Sequence, residues 1–131
     1  MQPSLETGSV STASLWIGRI VSALPVLLFI ATGTFSLLKP AAAMQGFAHY
    51  GYPESALPRI AITEILCAII YAIPRTSVLG AILLTGYLGG ATATHVRVGE
   101  PFFIAVTVGV VIWLGLFLRD ARLRALLPFR R

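Results

Sequence analysis

The sequence predicts an all-α fold, an integral membrane bundle of four helices, and three observations carry that prediction. Apolar residues make up 56% of the chain and charged residues only 11%, where a soluble domain carries roughly 25% charged residues. Mean hydropathy is +0.85. The apolar residues also gather into four runs, about 20–38, 57–73, 78–94 and 102–118, each bounded by charge, proline or glycine. A hydrocarbon layer of about 30 Å selects runs of this kind, and 131 residues are one domain's worth of chain.

Residues 1–14 are rich in Ser and Thr, lack apolar periodicity, and read as a polar tail. The first span, 20–38, lies between Arg19 and Lys39, with Trp16 as an interfacial anchor. It rises about 28 Å at ~1.5 Å per residue. Pro25 is tolerable there because neighbouring helices in a bilayer re-satisfy the carbonyl it frees. Ala41-Ala42-Ala43 resembles a leader-peptide cleavage site, but a leader's apolar core has about 7–15 residues. This run is longer and Lys39 interrupts it, so a retained span is the better reading.

Residues 40–56 form the longest expected loop, punctuated by Pro40, Gly46, Gly51 and Pro53, with His49, Tyr50, Tyr52 and Glu54 as its polar content. The second span, 57–73, closes on Pro74-Arg75, and a short turn leads into the third, 78–94. His95, Arg97, Gly99, Glu100 and Pro101 make the next loop. The fourth span, 102–118, stops at Arg119-Asp120. Residues 15–118 therefore form one transmembrane domain and 119–131 a basic tail. The second span is short and holds a glutamate, so a re-entrant segment is one alternative, and a soluble-type hairpin of spans two and three is another. Long apolar runs on both sides of the Pro-Arg turn favour a transmembrane hairpin.

The net charge of +5 might suggest nucleic acid, but half of the basic residues fall behind the last span: Arg119, Arg122, Arg124, Arg130 and Arg131. That placement fits lipid headgroups and a topology signal, not a nucleic-acid partner. With an even number of spans, both termini share a side with Arg19, Arg75 and the five tail arginines, against Lys39, Arg59 and Arg97 opposite. The positive-inside rule then places both termini in the cytoplasm.

Glu64 is the most informative residue. An ionisable group in mid-span costs ~2.5–3.5 kcal/mol on insertion scales. Ala61, Glu64, Cys67, Ala68 and Tyr71 share one helix face, while Ile62, Leu66, Ile69 and Ile73 share a bulky one suited to lipid. Glu64 should therefore point into the bundle, either as polar glue between helices or as a proton carrier beside a polar ligand. Lys39, His95 and Arg97 end spans on the same side and can converge with Glu64 in the outer half of the bundle. The plainer expectation for Lys39 and Arg97 is that they snorkel to headgroups.

The third span is crowded with small residues. Gly86 and Gly90 satisfy the G-x-x-x-G spacing and, with Gly89, mark a close helix contact, within the bundle or at a homo-oligomer face. Thr85, Thr92 and Thr94 can bond back to their own helix. The lone Cys67 excludes an intramolecular disulfide and a CxxC redox pair. No HExxH, GxSxG, Walker A or GxGxxG sequence is present. His49 and His95, the only histidines, are too few for a multi-histidine haem or copper site in one chain, and no metal site is expected.

From Gly51 to Pro128 the chain resembles the DoxX-like family of small bacterial membrane proteins. The resemblance rests on Gly51-Tyr52-Pro53-Glu54, Glu64, Ile73-Pro74-Arg75-Thr76, Gly80-Ala81-Ile82-Leu83-Leu84 and Tyr87-Leu88-Gly89-Gly90-Ala91. Thr94-His95 with Arg97, Gly99-Glu100-Pro101-Phe102 and Arg119-Asp120-x-Arg122-x-Arg124 complete it. Phe29, Gly33 and Lys39 in the first span fit too, while Gly86 and Thr92 stand where alanine and valine are expected. The resemblance implies a four-helix bundle in the bacterial cytoplasmic (inner) membrane. It also implies an auxiliary or assembly subunit of a membrane redox complex without catalysis of its own. The alternative is a bundle that binds a quinone or other small apolar molecule, with Glu64 as proton acceptor and His95 or Lys39 as its partner. A small transporter is a third reading. No other cofactor is expected, and the expected partners are membrane lipids and redox-complex subunits.

Overall fold

The computed structural model describes residues 10–126. Every regular element among them is helical: α1 (Thr12–Leu37), α2 (Ala41–His49), α3 (Leu57–Ala72), α4 (Ser77–Arg97), α5 (Phe103–Arg119) and α6 (Ala121–Leu126). Short 3-10 turns at Glu54–Ala56 and Pro74–Thr76 lead into α3 and α4. Three helices are long and apolar enough to cross a membrane, namely Thr12–Leu37 and, with their opening turns, Glu54–Ala72 and Pro74–Arg97. α5 is apolar but shorter, at 17 residues.

Several boundaries depart from the sequence expectation. α1 starts at Thr12, inside the expected polar tail, because Ser11 accepts the amide of Ser14 at 3.2 Å and caps it. The expected loop 40–56 contains α2. Pro40 ends the preceding turn, and Ala41-Ala42-Ala43-Met44-Gln45 are strong helix formers. Lys39, at φ +51°, makes the reversal from α1 into α2. The basic tail is partly ordered as α6, where Asp120 accepts the amides of Arg122 at 2.9 Å and Leu123 at 3.4 Å. Arg124 then folds back, its Nε donating to the Phe117 carbonyl at 2.7 Å and its Nη2 to the Leu118 carbonyl at 3.0 Å, with Ser14 as a further partner. Residues 1–9 of the expected tail, and Pro128, Arg130 and Arg131, lie outside the described residues.

α1 packs on α3 and α5, and α4 packs on the same two helices, so the four long helices close into a ring. The core inside it holds Phe29, Cys67, Ala68, Tyr71, Leu84, Ile112 and Leu116. Tyr71 crosses this core, donating to the Ile112 carbonyl at 2.7 Å beside the Ser22 hydroxyl at 3.0 Å. The α3 faces fall as its periodicity predicts: Ala61, Glu64, Cys67, Ala68 and Tyr71 are buried, while Ile62, Leu66, Ile69 and Ile73 are exposed. Thr85, Thr92 and Thr94 bond back to the carbonyls of Ala81, Leu88 and Gly90.

The glycine expectation needs correcting. A Cβ on Gly86, Gly89 or Gly90 would meet nothing within 4 Å, so among the described residues they make no close helix contact, and the expectation of a face between copies is not tested by the single chain. The G-x-x-x-G spacing permits backbone approach without requiring it. The helices instead meet at other glycines. A Cβ on Gly80 would lie 2.3 Å from the Tyr71 backbone, one on Gly33 2.5 Å from Ile65, one on Gly18 2.9 Å from Arg119, and one on Gly115 2.4 Å from Ser22.

Gly80→Ala should therefore destabilise the protein by about 1–3 kcal/mol, the usual cost of overpacking. Gly86→Ala should be neutral or stabilising by up to about 1 kcal/mol, because alanine is the better helix former. Reversible unfolding in mixed micelles compares the two, and equal effects would refute this placement of the helix contacts.

Candidate functional site

The site begins with two close approaches. Gly33 brings α1 onto α3, and the preceding residue, Thr32, donates from its hydroxyl to the Glu64 carboxyl. Gly80 brings α4 onto α3, and two turns further along α4 the Tyr87 hydroxyl lies close to the same carboxyl. Phe29 packs edge-on against Tyr87 with ring centroids 5.9 Å apart, which limits the tyrosine's freedom. Glu64 is thus buried, 6% exposed, between hydroxyls from two neighbouring helices. The Thr32 hydroxyl also lies 2.9 Å from the Leu28 carbonyl. A hydroxyl carries one proton, so Thr32 serves either Glu64 or the Leu28 carbonyl at any moment.

A cavity of about 500 Å³ lies beside it. Thr32 and Tyr87, the neighbours of Glu64, are among its polar lining, Phe35, Ile60 and Ala91 are among its apolar walls, and Ala43, Phe47, Tyr50 and His95 line it from α2 and the end of α4. Gly86 and Gly90 also line it, which explains why a Cβ there meets open space. Most of its wall is apolar, and the hydroxyls and His95 are its polar points.

A second cluster holds α2 against the far end of α4. Glu100 accepts from the Tyr50 hydroxyl at 2.9 Å and pairs with His49 Nε2 at 2.6 Å and His95 Nδ1 at 3.3 Å. Arg97 bonds the Tyr50 carbonyl and lies over the Tyr52 ring, whose hydroxyl is 2.8 Å from Thr94 Oγ1. The hydrogen bonds from His49 and Tyr50 hold the Glu100 carboxyl below its ordinary range. Burial, then the hydrogen bond and charge of Glu100, push the Tyr50 phenol up, so it stays a donor at neutral pH.

The structure separates the residues expected to converge. His95 reaches the cavity and Glu100, and Arg97 closes the loop above it. Glu64 takes Thr32 and Tyr87 as partners. Lys39 is exposed, with no ion pair or side-chain hydrogen bond among the described residues, because its backbone turns the chain away from the ring. Sequence reasoning missed Thr32, Tyr87, Glu100, His49 and Tyr50 as site residues. The available signal for Thr32 and Tyr87 was helical register, since each sits beside or two turns beyond a close-contact glycine. His49 and Tyr50 lie some fifty residues from Glu100 in the chain, so no local spacing announces their cluster. No group of His, Cys, Asp and Glu suited to a metal ion occurs among the described residues.

Long apolar helices closing on a buried carboxyl, with lipid-type side chains on their outer faces, define a multi-pass membrane protein. The model of the DoxX-like family matches residues 20–117, and the chain belongs to that family. No curated protein and no solved structure matches it.

The Glu100 cluster gives a pH prediction. A carboxyl held below its ordinary value of 4.5 contributes stability that is fully present above that value. The contribution is lost as pH falls through the lowered value. Hydrogen-exchange protection of residues 41–52 should fall as pH drops below about 4.5, and Glu100→Gln should remove that step. A step that persists in Glu100→Gln would assign it to another group.

Proposed function

We propose that the protein is a four-helix membrane bundle that binds a small apolar molecule with a hydrogen-bonding head, of which a quinone ring is the fitting class. The observation that carries this reading is the cavity between α1, α2, α3 and α4, whose polar lining residues Thr32 and Tyr87 both neighbour the buried Glu64. Its apolar walls suit a ring or chain, and its few polar points suit a carbonyl or hydroxyl head, the pattern of a small-molecule pocket. Where the head is a hydroxyl, as in the reduced quinol form, Glu64 is the acceptor of its proton by way of Thr32 or Tyr87, with His95 toward the other end of the cavity. An auxiliary role in a membrane redox complex, the expectation from the resemblance, gives the cavity no purpose, whereas ligand binding does.

The proposal includes a fourth span formed by α5 and an orientation in the bacterial inner membrane with both termini cytoplasmic. Support for the orientation is the grouping of Arg19, Arg75, Arg119, Arg122 and Arg124 at the end of the ring that holds the start of α1. Lys39, Arg59 and Arg97 lie toward the other end.

Gly90→Leu starts a side chain in open space at Cβ and extends it into the cavity, so it should leave folding intact and weaken binding of a short-chain quinone by about tenfold or more, the scale of a lost buried contact. Glu64→Gln should keep ligand retention near that of the parent and remove the carboxyl protonation change that accompanies binding of the quinol form. Equilibrium binding in detergent or nanodiscs measures retention in both variants, and infrared difference spectroscopy reads the carboxyl. Quinone binding unchanged in Gly90→Leu, or none by the parent chain across preparations, would defeat the proposal.

A further inference from the structure

At the opposite end of the ring from the cavity, Arg119 is only partly exposed, and its Nε is buried without a hydrogen-bond partner among the described residues. Its guanidinium lies over the Tyr71 ring at 5.2 Å, and Nη2 reaches the Tyr71 carbonyl only at 3.5 Å. No carboxylate among the described residues pairs with it. Its neighbour Asp120 is engaged by the amides of Arg122 and Leu123, with Arg122 Nε at 3.7 Å. Arg124 is already used on carbonyls of α5. Gly18 lets α1 close against the Arg119 backbone, so the position of the residue is fixed. A half-buried guanidinium without an anion is costly unless a counter-charge arrives from outside.

Two grooves meet at this residue. One, of about 360 Å³, is lined by Arg19, Ser77, Arg119, Asp120 and Arg122 with Pro74. The other, of about 390 Å³, shares Arg19, Pro74 and Arg119 and continues between α1 and α3 past Ala23, Val26 and Leu27. The first is of mixed lining, with three arginines against one engaged aspartate, and the second is mostly apolar along the outside of the helices. A phosphate diester fits the first, because guanidinium groups bind phosphate oxygens through paired, charge-assisted N–H bonds. An acyl chain attached to it fits the second.

We propose that Arg19 and Arg119 form a binding site for an acidic phospholipid, with the phosphate held between the two guanidinium groups and one acyl chain lying in the groove between α1 and α3. This site is separate from the cavity and independent of what the cavity holds. Arg119 is the fixed element. Arg19, exposed and resting over the Trp16 ring at 5.1 Å, is the mobile one that closes on the headgroup.

The test is native mass spectrometry of the full chain in mild detergent. Phosphatidylglycerol, phosphatidylcholine and inorganic phosphate are added separately, and retention is read as detergent and collision energy rise. Phosphatidylglycerol should be retained in one-to-one stoichiometry well beyond phosphatidylcholine, and inorganic phosphate at the same concentration should not displace it. Arg19→Gln should reduce that retention by about tenfold, the scale of one lost charge-assisted contact. Arg119→Gln should do the same or more. Arg19 is exposed, so its variant keeps the test valid even where Arg119→Gln fails to fold. Arg75→Gln removes a charge at the same end but lines neither groove, and it should leave retention unchanged. Equal retention of both lipids, displacement by inorganic phosphate, or an equal loss in Arg75→Gln would each overturn the proposal.

Discussion

A carboxyl in the middle of an apolar helix costs ~2.5–3.5 kcal/mol to insert, and the rest of this molecule is arranged around meeting that cost. α3 turns Glu64 inward and its isoleucines outward. Glycines at 33 and 80 let α1 and α4 approach closely enough for Thr32 and Tyr87 to supply hydroxyls. Tyr71, one face-repeat along α3, ties the same helix to α1 and α5 through Ser22 and Ile112. The ring order of helices follows: α3 and α5 sit on opposite sides, each touching both α1 and α4. The cavity lies between α1 and α4, with Ile60 of α3 in its wall and α2 lining it as well.

The two ends of the ring differ in chemistry for reasons that lie in the same packing. At one end, α2 and the α4–α5 loop are drawn together by Glu100, whose carboxyl serves His49, Tyr50 and His95 at once. At the other, α1, α5 and α6 converge through arginines, and the carbonyls that end α5 are taken up by Arg124. The first end has a carboxylate at its centre and the cavity beneath α2. The second is rich in cations.

Much of this was legible in the sequence. The apolar runs, the inward face of α3 and the back-bonded threonines follow from periodicity and local geometry, which depend only on residues three or four apart. What was hidden depends on distance. Lys39 looked like a partner for Glu64 because it ends the first span on the side of the bundle nearer to Glu64, but its left-handed backbone conformation turns the chain into α2 instead. The Gly86–Gly90 pair has the spacing of a helix contact, yet the contacts form at single glycines whose partners are bulky residues on other helices. α2 was hidden by the glycines and prolines around it, although its Ala-rich start carried a helical signal.

The central claim is that Glu64 is buried yet reachable through an apolar cavity that a quinone-type head occupies. Labelling in bilayers with the apolar carboxyl reagent dicyclohexylcarbodiimide, read by peptide mass spectrometry, tests it directly. Glu64 should be modified, and a short-chain quinone should protect it while leaving Glu54 and Glu100 unaffected. A Glu64 that stays unmodified, or is modified equally with and without the quinone, would contradict the account.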